Sequence, residues 1–290
     1  MTMTDAAPGY RARATLPLRV EFIRQFRRRR TLVTYGLLVL LPAVVVLAVR
    51  FGPSSEGDSD GRRFGGGSLD LVGLATSGAA NFTVTMLFFA TSFLLILVTS
   101  VFLGDTVAGE AQWGTLRYLL AAPVPRRRLL AVKLAVGLVS TLVGIVLLVV
   151  TSYVIGLVAF GSGPLASPAG GLFADGEMLW RIAAMAGYVF VTLLFTAGIA
   201  FLMSVSTDVP LGAVGTALIL VILSNILDAI EALGDLRQWL PTEYTNSWIA
   251  LLQPQVDWSQ MARGATYSVV AFVVLAAIAF WRFDRKDILS

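Results

Sequence analysis

The residues best suited to chemistry in this chain are gathered between two apolar runs. They are Asp105, Gly109, Glu110, Trp113, Gly114, Thr115, Leu116 and Arg117, followed by Pro123, Pro125 and Arg126 to Arg128. Carboxylate, guanidinium, hydroxyl and bare backbone at this spacing offer charge and hydrogen bonds to another surface, which is binding chemistry rather than bond-making chemistry. The chain has no cysteine and no histidine. That excludes disulfides, thiolate nucleophiles, His-ligated metals and imidazole bases. The phosphate-cradling loop G-x-x-x-x-G-K-[ST] is absent, and Gly65-Gly66-Gly67-Ser68 carries no lysine and no following helix signal, so it reads as a flexible loop. No cofactor or metal is expected on the chain, and it does not read as an enzyme.

The elements that must position this segment are membrane helices. The chain is 57% hydrophobic and 14% charged over 290 residues, with a mean hydropathy of +0.79, whereas a soluble domain carries about a quarter charged residues. A helix needs roughly 20 mostly apolar residues to cross a bilayer. Six runs qualify, at 31–50, 81–104, 131–158, 179–205, 210–228 and 264–283. None alternates apolar and polar residues as a membrane barrel strand does. The expected fold is therefore all-α, with six transmembrane helices in one domain over 15–290 and a disordered tail over 1–14. The first run is longer than a signal-peptide core and lacks a small-residue cleavage site after it, so it reads as a retained helix. No charged residue sits at the centre of any run, which weighs against an ion-coupled pump or a channel.

Orientation follows from the basic residues. Sixteen of the 22 lie before the first run, between the second and third up to Lys133 at the start of the third, or from Arg282 at the end of the sixth onward. With six spans these three segments share one side, expected to be the cytoplasm, with both termini inside. The other side carries six basic residues against eleven acids. The net charge of +4 is thus a topological charge, and no basic surface is interleaved with aromatics as nucleic-acid binding would need; no nucleic-acid partner is expected.

Residues 15–30 have helical spacing. Leu16, Val20, Phe22, Ile23 and Phe26 fall on one side, and Glu21, Arg24, Gln25 and Arg28 on the other. Such a helix is expected to lie in the interface with its arginines reaching lipid phosphates. In the second run Asn81, Thr85, Ser92 and Thr99, with Phe88, fall on one line of a helical wheel, an expected path or subunit-interface face. Asp208-Val209-Pro210 is a helix start, and Gly212 with Thr216 permits close helix contact. Asn225 is an isolated polar group near the far end of that run. Between 228 and 263 the sequence predicts short amphipathic helices, with Trp239, Tyr244, Trp248 and Trp258 in an interfacial aromatic belt.

Residues 108–122 can be drawn as a short amphipathic helix ended by Pro123 and Pro125. A helix in such a turn can pass a push to both attached spans. The pattern Glu110-x3-Gly114-Thr115-Leu116-Arg117-x-Leu119-Leu120-x2-Pro123-Val124-x-Arg126, followed by Lys133, resembles the signature of ABC-2 type transporter permeases, the six-helix membrane subunits of ATP-binding-cassette exporters. Trp239-Leu240-Pro241-Thr242-x-Tyr244-x-Asn246-x-Trp248 and Phe283-Asp284-Arg285-Lys286-Asp287-Ile288 resemble that family's later segments. The resemblance implies a coupling helix on Gly109 to Pro123, with Gly109, Glu110, Gly114, Thr115, Leu116 and Arg117 contacting a separate ATPase. It implies an elbow helix over 15–30 whose Arg24 and Arg28 frame the docking groove, and short external helices after span five. It further implies two copies of the ATPase, holding ATP and Mg, a second and often identical permease subunit, and export of a hydrophobic or amphipathic substrate. The high Ala, Val, Arg and Leu content points to a high-GC bacterium and its plasma membrane. A membrane scaffold or sensor that transports nothing is the alternative.

Overall fold

A computed structural model describes residues 18–51, 71–114, 125–167, 171–240 and 242–286, apart from the side chains of residues 71, 72, 175 and 239. Among them every extended element is a helix. Two short helices, α1 (Leu18–Phe26) and α3 (Leu71–Thr76), accompany six long ones: α2 (Arg29–Phe51), α4 (Ala79–Gln112), α5 (Arg126–Phe160), α6 (Asp175–Ser206), α7 (Pro210–Asp228) and α8 (Trp258–Arg285). Short 3₁₀ turns cover Glu231–Trp239 and Ser247–Leu252. The six long helices are each long and apolar enough to cross a membrane, so the chain is a multi-pass membrane protein.

The six expected runs all become helices; 210–228 matches its helix end to end, and the other five helices run longer. The core was placed by apolar content, whereas helix ends are set by backbone capping and packing that hydropathy does not report. Two helices are central. Within their apolar windows 61% of α4 and of α6 is buried, against 17–28% for the others. These outer helices turn apolar side chains outward, as lipid-facing helices do. α5 packs against α2 and α4, α7 against α4 and α6, and α8 chiefly against α6.

Sequence spacing misread α4. A π turn over Ala90–Leu94 inserts an extra residue per turn and rotates everything after it. The expected stripe is therefore split, with Thr85 and Thr99 buried and Ser92 exposed. Each bonds a carbonyl of its own helix: Thr85 to Asn81, Ser92 to Phe88 and Thr99 to Leu95. Asn81 instead clamps the loop after α5. Its amide donates to Pro164 O at 2.9 Å, and its oxygen accepts from Ala166 N at 2.9 Å. α3 lies in the stretch between the first two expected runs.

The 240–257 segment corrects a second expectation. Trp248 is not at the interface; it is 1% exposed in the core, edge-on to Phe88 with ring centres 6.3 Å apart. Tyr244 is also buried. The segment is held in the bundle by Arg181, itself buried. Its guanidinium donates to Leu251 O, to Gln253 O at 3.1 Å and to Glu177 Oε2 at 3.1 Å, and it lies 3.9 Å above the Phe173 ring centre. At the same end Arg237 lies 3.7 Å from Asp228 and 3.5 Å from Glu243. The hydrogen bond Glu243 shares with Asp228 pushes its carboxyl above the usual range, helped by burial.

Arg181→Leu leaves two buried carbonyls without their charged donor. It should cost about 3 kcal/mol in unfolding free energy and open the 240–257 segment to limited proteolysis, read as a new cleavage band while α4 to α6 stay intact.

Candidate functional site

The charged residues singled out in the sequence converge at one end of the bundle, on the last turns of α4 and the first of α5. α4 does not stop at 104. It runs on to Gln112, so Gly109 and Glu110 are its final turns rather than part of a separate helix as expected. Trp113 closes it, and Gly114 follows at φ 65°. Thr115, Leu116, Arg117 and the rest of the expected coupling helix to Pro123 lie outside the described residues, as does the 1–14 tail.

Glu110 does not face outward. It is 2% exposed, and its carboxylate sits 2.6 Å from Lys133 Nζ on α5. Arg24 and Arg28 approach the same oxygen at 3.4 and 3.9 Å. Lys133 also donates to Glu21 Oε1 at 3.4 Å. One turn before Glu110, Asp105 accepts from Arg28 at 3.0 Å and pairs with Arg30. Three acids and four bases from α1, α2, α4 and α5 thus form one network.

Its geometry depends on Gly109. A Cβ there would overlap the Asp105 carboxylate, which folds back along the helix over that position. Deeper in, Ser204 Oγ of α6 accepts from Val107 N at 3.0 Å and Ala108 N at 3.1 Å. The network end of α4 is thereby bonded to the end of α6.

The orientation of α1 reverses the expectation. Its polar face is the inner one, with Glu21 and Gln25 buried, while Leu18, Val20 and Ile23 are exposed. Arg24 and Arg28 turn to the network rather than to lipid phosphate, because Glu110, Asp105 and Lys133 supply charges that must be matched in a buried place. The signal was present in the sequence: Asp105, Glu110 and Lys133 all sit at the fringes of apolar runs, where an unpaired charge is costly.

Beside the network lies a cleft of about 380 Å³ lined by Arg24, Arg28, Arg29, Arg30, Gly109, Glu110 and Trp113. Trp113 is 76% exposed at its edge. An indole presented among arginines can stack on or bury against a protein surface while the guanidiniums pair its acids.

The other singled-out residues are dispersed. Phe88 is half-buried against Trp248. Gly212 and Thr216 lie on the exposed face of α7, with the Thr216 hydroxyl donating to Gly212 O. Asp208 does not cap α7. Val209 does, and Asp208 pairs with Lys286 at 2.7 Å. Asn225 donates to Val221 O and borders a small cavity with Thr91, Thr192, Thr196, Thr242 and Thr245.

A family model described as "Protein of unknown function (DUF2705)" matches residues 69–289. The chain is also similar to the "Uncharacterized protein YhcI" of Bacillus subtilis (strain 168), with 26% identity over 225 residues, covering 73% of this chain and 67% of that one.

Lys133→Met removes the nearest partner of buried Glu110 and a donor to buried Glu21, and should cost about 3–5 kcal/mol. Adding Glu110→Leu should recover most of that, because Arg24 is half-exposed and can return to solvent. Unfolding of the single and double variants in detergent measures the difference; a neutral single variant would contradict the network.

Proposed function

We propose that this chain, a member of the DUF2705 family, is the membrane permease subunit of an ABC-type exporter. The single observation that carries this is the arginine- and tryptophan-lined cleft at the end of α4, tied by buried ion pairs to four helices. A partner seated there would push on α1, α2, α4 and α5 together. The resemblance of Glu110 to Arg126 to the ABC-2 permease signature supports the same reading. The chain encodes no phosphate-binding loop, so the energy comes from a separate ATPase that holds ATP and Mg.

In this reading both termini and the network face the cytoplasm of a bacterial plasma membrane. The described residues support it. The network end carries Arg19, Arg24, Arg27 to Arg30, Arg126 to Arg128, Lys133, Arg282, Arg285 and Lys286, and the opposite end carries mostly acids. α1 is the elbow helix, Gly109 to Pro123 carries the coupling contact, and the 3₁₀ turns after α7 lie outside. Two ATPase copies serve two permease subunits, which meet through the exposed Gly212–Thr216 face of α7. The cargo is hydrophobic or amphipathic and crosses between the copies. The chain itself catalyses nothing.

Co-expression with ATP-binding-cassette ATPases from the source genome, followed by purification in nanodiscs, tests this. The wild-type chain should hold the ATPase and raise its turnover severalfold. Arg29→Glu and Trp113→Ala, outside the buried pairs, should fold normally and lose both. A complex that never forms, or variants that couple normally, would leave a non-transporting scaffold or sensor as the better account.

A further inference from the structure

Far from the ionic network, α6 and α8 enclose an open groove of about 840 Å³. Its lining is sorted along its length. Tyr244, Arg263, Thr266 and Tyr267 form one end, and Val270, Ala271, Val274, Leu275 and Phe195 form the rest. We propose that this groove binds one anionic glycerophospholipid, with its phosphate on Arg263 and an acyl chain lying over Val270, Val274 and Leu275.

Dimensions fix the class of ligand. Trp258 and Trp281 bracket α8 about 35 Å apart along its axis, at 1.5 Å per residue, which matches a hydrocarbon core of about 30 Å with its interfacial aromatics. Arg263 lies about 8 Å inside Trp258, and Leu275 about 18 Å beyond Arg263. Taken from the midpoint between the two tryptophans, the Arg263 backbone lies about 10 Å toward Trp258 and Leu275 about 8 Å past the centre; the long Arg263 side chain spans the remaining distance to the headgroups. A groove of about 18 Å holds one lipid hung from Arg263, whereas a spanning helix of about 30 Å would overrun it.

Charge fixes the headgroup. Arg263 is exposed and forms no ion pair with a carboxylate among the described residues. Asp257, the acid whose charge it feels, is engaged as the cap of α8, accepting from Ser259 N at 2.9 Å. A guanidinium at this depth seeks phosphate, with which it makes paired, charge-assisted hydrogen bonds. Tyr244 and Tyr267 beside it are amphipathic in the same sense.

The groove is pre-formed. Tyr244 and the Tyr188 hydroxyl occupy the space that a side chain at Gly264 would need, and that hydroxyl donates to Tyr244 O at 2.9 Å. Farther along, a Cβ at Gly198 would stand 3.0 Å from Leu275. Both crossings of α6 and α8 are fixed by glycine, so the surface beside them does not collapse when empty.

Native mass spectrometry of the full chain, released from bilayers of phosphatidylcholine with phosphatidylglycerol, tests the site. The wild-type chain should retain one phosphatidylglycerol with about tenfold preference. Arg263→Gln should abolish the preference, Ala271→Trp should abolish retention, and Arg50→Gln, another exposed membrane-edge arginine, should change neither. Unchanged preference in Arg263→Gln overturns the proposal, as does equal loss in Arg50→Gln. Ala271→Trp breaking a dimer while lipid retention stays constant would also overturn it, assigning the groove to a second copy.

Discussion

Lys133 and Glu110 meet at 2.6 Å with 3% of each side chain exposed, and neither charge can stay in that place alone. An uncompensated buried ion costs several kcal/mol, so each holds the other and recruits more. Glu21 comes in on α1, Arg28 just before α2 and Arg30 in its first turn, and Asp105 lies over Gly109 to receive the two arginines. The short α1 helix shows how strong the constraint is. It turns its polar side inward and its leucine, valine and isoleucine outward, opposite to a helix packed on an apolar core. In a membrane this arrangement is consistent, since lipid covers the apolar face while the network satisfies the polar one.

The same constraint explains why the end of α4 is stiff. Ordinary interfacial helices are hinged by the loops on either side. Here the last turns of α4 are bonded to α2 and the turn before it through Asp105, to α1 and α5 through Glu110, and to α6 through Ser204. A force applied at Trp113 therefore meets a rigid body of several helices, not a flexible loop. Under the proposed function this is what turns docking of an ATPase into helix movement. At the opposite end Arg181 does a comparable job for the 240–257 segment, bonding two of its carbonyls while Glu177 pairs the guanidinium.

The six spans were legible because about 20 consecutive apolar residues have few other uses. The clustering of Glu110, Arg24 and Arg28 near one end was legible from spacing and charge bias. Their direction was not. A helical wheel reports that Glu21 and Arg24 oppose Val20 and Ile23, but not which side meets lipid and which meets a buried lysine. The wheel also assumed uniform turns, and the π turn at Ala90–Leu94 broke that assumption for Ser92 and Thr99. Trp248 was misplaced for a related reason. Tryptophans near a span end favour the interface on average, and only tertiary packing against Phe88 draws this one into the core. The lipid groove needed coordinates altogether, since its lining comes from Phe195, Tyr244 and α8, far apart in the sequence.

The exposure of Gln112, next to Trp113, makes one measurement direct. A photo-crosslinking amino acid placed at position 112 in the full chain, activated in living cells, reports what sits over the cleft. The account predicts capture of an ATP-binding ATPase subunit, lost when Arg29→Glu is added. Capture of lipid alone, or of a protein without a nucleotide site, would contradict the claim that this end of the bundle is where an ATP-driven partner docks.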